Sequence, residues 1–93
     1  MRTVKYTNRF KRDYRREKSG RHAPVLDAKL EAVVALLADD KALPSSNFDH
    51  ALTGDWKDHR NCHVRPDLIL IYRKPDADTL ELVRIGSHSE LGL

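Results

Sequence analysis

Five side chains form a set that could do acid–base chemistry on a phosphate: His50, His63, Asp67, Arg84 and His88. Three of them lie in the stretch Asp49 to Tyr72, DHALTGDWKDHRNCHVRPDLILIY, which also holds the sole tryptophan and the sole cysteine. The other two belong to the segment Arg84-Ile85-Gly86-Ser87-His88. Imidazoles, one carboxylate and one guanidinium spread over strand ends and loops fit metal-free cleavage of an RNA phosphodiester. RNA carries its own nucleophile, the 2′-OH. Catalysis then needs a base for that proton, a cation for the charge on a phosphorane-like transition state, and an acid for the leaving 5′-oxygen. Histidine can fill both proton roles near neutral pH because its unperturbed pKa is about 6.5. Arginine can hold a phosphate with paired donors. Each residue also has a plainer reading. His50 can be a surface loop residue, Asp67 a turn cap after Pro66, Arg84 a partner of Glu81 or Asp67, and His88 part of a frayed terminus.

Other chemistries fit less well. His59 and His63 have the i, i+4 spacing that joins two metal ligands on a helix, but in a strand that spacing separates them by roughly 13 Å. Cys62 and His63 are neighbours and point to opposite faces of a strand, so they form no local thiol–imidazole dyad. With no second cysteine, Cys62 has no disulfide or multi-cysteine metal site to join and reads as a small, partly buried thiol. A Gly-rich phosphate loop, a GxSxG elbow and a dinucleotide fingerprint are all missing.

Elements must position this set. Arg2 to Tyr6 reads as a short strand. Thr7 or Asn8 then caps a helix that places Phe10 and Tyr14 on one face and Arg9, Arg12, Arg15 and Arg16 elsewhere, with Ser19-Gly20 as its stop. Pro24 opens a second helix whose stripe is Leu26, Leu30, Val33, Val34 and Leu37, ending at Asp39-Asp40. The N-terminal half is therefore a helical hairpin, followed by a loop at Leu43 to Asn47. Beyond it the period changes to two. Strands are expected over Trp56 to Val64, Leu68 to Lys74 and Thr79 to Ser87, paired antiparallel through tight turns at 65–67 and 75–78. Leu68 to Ile71 is apolar on both faces and belongs at the centre, while Leu80 and Leu82 alternate with Glu81 in a half-exposed neighbour. The fold class is α+β: two N-terminal helices on a small, mostly antiparallel sheet of about four strands. Arg84 and His88 would be about 13 Å apart in extended chain, so they can serve one phosphate only if the chain bends at Gly86.

A chain of 93 residues suits one domain over 1–93, and 40% apolar with 33% charged residues is a globular composition rather than a disordered one. Its apolar runs are far shorter than the roughly 20 residues of a bilayer span, and a cytoplasmic, non-membrane protein is expected. The net charge of +3 conceals an asymmetry: residues 1–24 hold nine Lys or Arg against two acids, the remainder eight against twelve. A basic N-terminal face suits a polyanion or an acidic protein partner.

The run Asp49-His50-Ala51-Leu52-Thr53-Gly54-Asp55-Trp56-Lys57, with Arg60, His63-Val64, Pro66-Asp67, Ile69-Leu70-Ile71-Tyr72 and Arg84-Ile85-Gly86-Ser87-His88, resembles the YafQ-like branch of the RelE/ParE toxin superfamily. The likeness covers essentially the whole chain, by pattern in the N-terminal half and by identity and spacing over residues 49–88. It implies a RelE-like fold and a type II toxin, a ribosome-dependent mRNA endonuclease that cuts translated message in the ribosomal A site and is neutralised by a cognate antitoxin. No metal or organic cofactor is implied. Carried over, His88 is the general acid, Arg84 the phosphate clamp, and the base is shared among His50, His63 and Asp67. The products would be a 2′,3′-cyclic phosphate, or the 3′-phosphate it opens to, and a 5′-OH. Arg9, Arg12, Arg15 and Arg16 would face ribosomal RNA.

Two positions depart from the family pattern, which has aromatics where this chain has Leu68 and, near its end, Leu91-Gly92-Leu93. Such aromatics would stack on bases or on site residues. Two alternatives follow: a catalytically degenerate toxin or noncatalytic RNA- or antitoxin-binding module, which the missing aromatics favour, and a ParE-like topoisomerase inhibitor, which would lack the histidines kept here.

Overall fold

Thr7 joins the two halves of the fold. Its hydroxyl accepts a hydrogen bond from the Phe10 amide at 3.0 Å, capping helix α1 (Asn8–Lys18), and donates to the Val83 carbonyl at 2.7 Å. The structure, a computed structural model, describes all of residues 1–93. α1 buries Phe10, Asp13 and Glu17, with Tyr14 partly buried, so its inward stripe is half acidic. Helix α2 (Leu26–Ala38) buries Leu26, Leu30, Val33 and Leu37, the expected stripe, with Val34 at its margin. The hairpin is fastened by Asp27, which accepts from Tyr14 and from Lys18 at 2.5 Å.

The sheet has five strands rather than about four: β1 (Thr3–Tyr6), β2 (His50–Ala51), β3 (Arg60–Arg65), β4 (Leu68–Arg73) and β5 (Thr79–Gly86), in the order β1-β5-β4-β3-β2. β2 to β5 pair antiparallel, but β1 lies parallel to β5, so the sheet is mixed. The parallel pair is reached through the helical hairpin, since parallel strands need a long crossover. β4 is central, as its two-faced apolar run requires, and every residue from Leu68 to Tyr72 is buried. β5 is more buried than its alternation suggested, because β1 covers its outer edge and only Glu81 and Arg84 reach solvent in part.

One face of the sheet packs Cys62, Leu68, Leu70, Tyr72, Leu80, Leu82 and Ile85 against α1 and α2. The other holds Ile69, Ile71 and Val83 under Leu91, Trp56 and Leu52. Trp56 is therefore not in a strand. Residues Gly54–Trp56 form a 3-10 turn, and positive φ at Gly54 and Asp58 keeps this segment from extending, so β3 begins only at Arg60. Leu91 belongs to a third helix, α3 (His88–Leu91), absent from the sequence expectation. Its capping box, in which Ser87 Oγ accepts from the Glu90 amide and the Glu90 carboxylate accepts from the Ser87 amide, holds His88 in a first turn instead of a frayed end.

Candidate active site

β3, the turn after it and α3 bring the imidazoles together. The His63 and His88 rings meet edge to face, with centroids 5.4 Å apart, and Phe48 flanks His63 on another side at the same distance. His63 is held from behind, where Asn47 Nδ2 donates to its carbonyl at 2.7 Å. Burial first, then the charges of His88 and His50, push the His63 pKa below its ordinary value against a smaller opposing hydrogen bond at Pro66. It is thus a neutral imidazole near pH 7, able to take a proton.

His50 stands on β2, paired with Asn61 of β3. Its Nδ1 lies 2.7 Å from the Phe48 carbonyl, which can only accept, so Nδ1 carries the proton and Nε2 is left open. The preceding Asp49 anchors this strand: its Oδ1 accepts from the Tyr72 hydroxyl at 2.6 Å and from Arg60 Nε at 3.2 Å. Asn61 is buried beside His50, and its Oδ1 has no hydrogen-bond partner.

Asp67, in the β3–β4 turn, has Oδ1 3.8 Å from His88 Nδ1 and pairs through Oδ2 with Arg21. It can stabilise a protonated His88. Arg21 was missed by sequence reasoning, because it sits in the turn between the helices, 46 positions from Asp67, with nothing local to mark it.

Arg84 is placed differently from the expectation. Its partner is neither Glu81, which Arg73 holds at 2.6 Å, nor Asp67, but Asp13 of α1. Arg84 Nε and Nη2 donate to the two Asp13 oxygens at 2.8 and 2.9 Å, which leaves Nη1 for a ligand. Asp13 is 3% exposed and also accepts from Arg16 Nη1 at 2.9 Å and the Ile85 amide at 3.2 Å. Burial opposes its charge, but the Arg84 hydrogen bond, the Ile85 amide and the Arg84 and Arg16 charges outweigh burial and hold its pKa below the ordinary range. A bulge aims this arginine: Ile71 pairs with Arg84 and Tyr72 with Leu82, which makes Val83 the extra residue.

Arg16 has carboxylate partners within the chain. It pairs with Asp13, Glu17 and Glu90, and its Nη2 donates to the Ile85 carbonyl at 3.0 Å. Three carboxylates hold its guanidinium although the side chain stays 40% exposed, and the arginines of α1 without a carboxylate partner are Arg9, Arg12 and Arg15. Gly86 serves this same contact. Its φ is not positive, and a Cβ there would lie 2.8 Å from Arg16 Nη2 and 3.2 Å from Glu90 Oε1. The glycine admits the Arg16–Glu90 pair, and the change of direction comes from Ser87 and α3.

Cys62 is fully buried and its thiol is pushed up to about 12, chiefly by burial, which leaves it inert. Leu68 is likewise 0% exposed, so neither it nor buried Leu91 can meet a base. No three His, Cys, Asp or Glu side chains gather as ligands for a metal ion.

A family model described as "Bacterial toxin of type II toxin-antitoxin system, YafQ" matches residues 2–92. The chain belongs to the YafQ toxin family. The mRNA interferase toxin YafQ of Escherichia coli is 35% identical over 92 residues, which is 98% of this chain and 96% of that protein. A copper-bound mutant toxin from Helicobacter pylori superposes with a TM-score of 0.84 at 34% identity, over 98% of this chain and 99% of that one. YafQ in the DinJ–YafQ complex of E. coli matches with a TM-score of 0.79 at 31% identity, over 98% of each chain. The α+β architecture with its mixed sheet is thus the YafQ fold.

Proposed function

We propose that this YafQ-family toxin is an mRNA interferase, acting as one domain over residues 1–93 in the cytoplasm and cutting translated message in the ribosomal A site. The observation that carries this reading is the packed His63–His88 pair, with Asp67 at His88 and His50 behind Phe48. Two imidazoles a few ångströms apart can serve the attacking and leaving oxygens of one phosphate, which lie on opposite sides of phosphorus. His63, kept neutral by its surroundings, takes the 2′-OH proton as the 2′-oxygen bonds to phosphorus. The P–O5′ bond breaks, and His88, with Asp67 beside its ring, gives a proton to the 5′-oxygen. The products are a 2′,3′-cyclic phosphate and a 5′-OH, with later opening to a 3′-phosphate. Arg84 stabilises the phosphorane-like charge through Nη1. His50 stands beside the pair with Nε2 open and shares with His63 the capacity to take the single 2′-OH proton.

The mRNA interferase named among the relatives supports the reaction class, and the DinJ–YafQ complex supports an antitoxin as the restraining partner. The exposed Arg9, Arg12 and Arg15 of α1 suit contact with ribosomal RNA. The test is to induce the chain alone in cells and map 5′ ends on translated and untranslated copies of one message. New ends on the translated copy only are expected. Equal cutting of both copies defeats the ribosome dependence, and no cutting with normal growth favours a noncatalytic module. His88→Ala should slow single-turnover cleavage by roughly 10² to 10⁴.

A further inference from the structure

Phe48 is unfavourable for folding in two independent ways. Its backbone is left-handed, with φ 47° and ψ 44°, a region that disfavours a side chain as bulky as phenylalanine. The residue is 63% exposed, the most of any Phe, Tyr or Trp in the chain. Glycine or asparagine would remove both costs, so stability does not explain a phenylalanine here.

Its position does suggest an explanation. The ring lies 5.4 Å from that of His63, inclined at 60°, and the Phe48 carbonyl meets His50 Nδ1. One residue thus touches two of the site imidazoles. Phe48 also forms part of a cleft of about 580 Å³ between α2 and the segment 44–48. The ionisable groups lining that cleft are Lys29, His63 and Arg65, with no carboxylate among them. An apolar ring beside cations, without an acid, matches a nucleotide: the base offers a π face and the backbone a negative charge.

We propose that this cleft is a nucleotide subsite, in which Phe48 stacks on the base adjoining the scissile phosphate and Lys29 and Arg65 hold the neighbouring backbone phosphate. The proposal rests on the nuclease reading above, and it adds the residue that selects the flanking base.

The test uses the full chain with a short single-stranded RNA carrying 2-aminopurine next to the scissile position, with a 2′-O-methyl group there to block cleavage. Binding and fluorescence quenching are read apart from single-turnover cleavage on programmed ribosomes. Phe48→Ala should weaken binding roughly tenfold to a hundredfold, abolish the quenching, and slow cleavage to a similar degree. Phe48→Trp should restore all three. Phe48→Gly should melt no lower than wild type while binding as poorly as Phe48→Ala, which a merely structural ring would not do. Unchanged binding by Phe48→Ala, or a Phe48→Trp variant no better than it, overturns the subsite. So does a loss of antitoxin affinity with RNA binding intact, because the ring would then contact protein. A wild-type chain that binds the oligonucleotide through Phe48 yet cuts no message defeats the nuclease reading and leaves the subsite standing.

Discussion

His63 owes its neutrality to burial and to two neighbouring imidazoles, and this makes its titration a direct probe of the site. Removing the His88 charge should raise the His63 pKa toward its ordinary value. In His88→Gln, NMR titration of the His63 ring should therefore show protonation at higher pH than in the wild type. An unmoved titration would mean that the two rings do not share a field. Asp13 is the second residue whose effect reaches the chemistry, through Arg84. Asp13→Asn leaves two arginines without their shared carboxylate, and should lower stability by roughly 2–3 kcal/mol, less than for a fully buried pair because Arg16 and Arg84 keep some solvent contact. Cleavage should fall by roughly tenfold or more as the guanidinium loses its aim. Combined with Arg84→Ala, the asparagine should cost no further activity than Arg84→Ala alone. Additive losses in that cycle would show that Asp13 acts elsewhere.

At the scale of elements, α3 has four residues and depends on its ends. Its N-cap is Ser87, its C-cap is Gly92 at φ 71°, and one side chain, Leu91, is buried. Ser87→Ala removes the cap and should cost about 1 kcal/mol of local stability. Because so little of the core rests on α3, global melting should barely move, while the Glu90 and Leu91 amides exchange faster and cleavage drops through misplacement of His88. Faster exchange without a change in cleavage would remove α3 from the positioning of the acid. β3 and β5 each carry a register shift beside a site residue, at His63/Arg65 and opposite Ile71. A regular strand would turn successive residues to alternate faces, and each shift releases the local chain from that rule.

At the scale of the molecule, charge governs both stability and partner binding. The carboxyls of Asp13, Asp27, Asp40, Asp76 and Glu90 are all held below their ordinary range, Asp40 at about 2 by Lys74 first and then Arg2. A depressed carboxyl pKa gives stability that is present above the unfolded value, about 4, and is lost as pH falls through the folded one. His63 has the same sign, with its loss beginning below about 6.5. The melting temperature should thus decline slightly below pH 6.5 and steeply below pH 4, and His63→Gln should lack the first step. The exposed Arg9, Arg12 and Arg15 should make ribosome affinity fall with salt, and each one changed to Ala should reduce the slope of log affinity against log salt by roughly 0.7 to 0.9. Arg16→Ala should instead lower the melting temperature, since its partners are within the chain. A normal melting temperature for that variant, together with a reduced salt slope, would show that Arg16 contacts the polyanion as Arg9, Arg12 and Arg15 do.

Much of this was legible in the residues alone. The 3.6-residue stripe of Leu26, Leu30, Val33 and Leu37 marked α2, the pair Thr7-Asn8 marked the start of α1, and the two-faced run Leu68 to Tyr72 marked the central strand. Such patterns are local: each residue's face follows from its spacing to near neighbours. Four of the five proposed site residues, His50, His63, Asp67 and His88, are gathered in space, and the fifth, Arg84, is held by Asp13 of α1. What spacing could not decide was which distant residues meet. The Asp13–Arg84 pair spans 71 positions and the β1–β5 pairing joins the two ends of the chain. In a sequence, an acid on an amphipathic stripe reads like any solvated charge, so Asp13 looked idle and Arg16 looked free. Only packing α1 against β5 put that carboxylate between two guanidiniums, because a buried charge persists only where opposite charges and donors surround it. The sequence by itself determined the kinds of groups available for the proposed chemistry, and the tertiary structure decided which of them lie together and what holds each in aim.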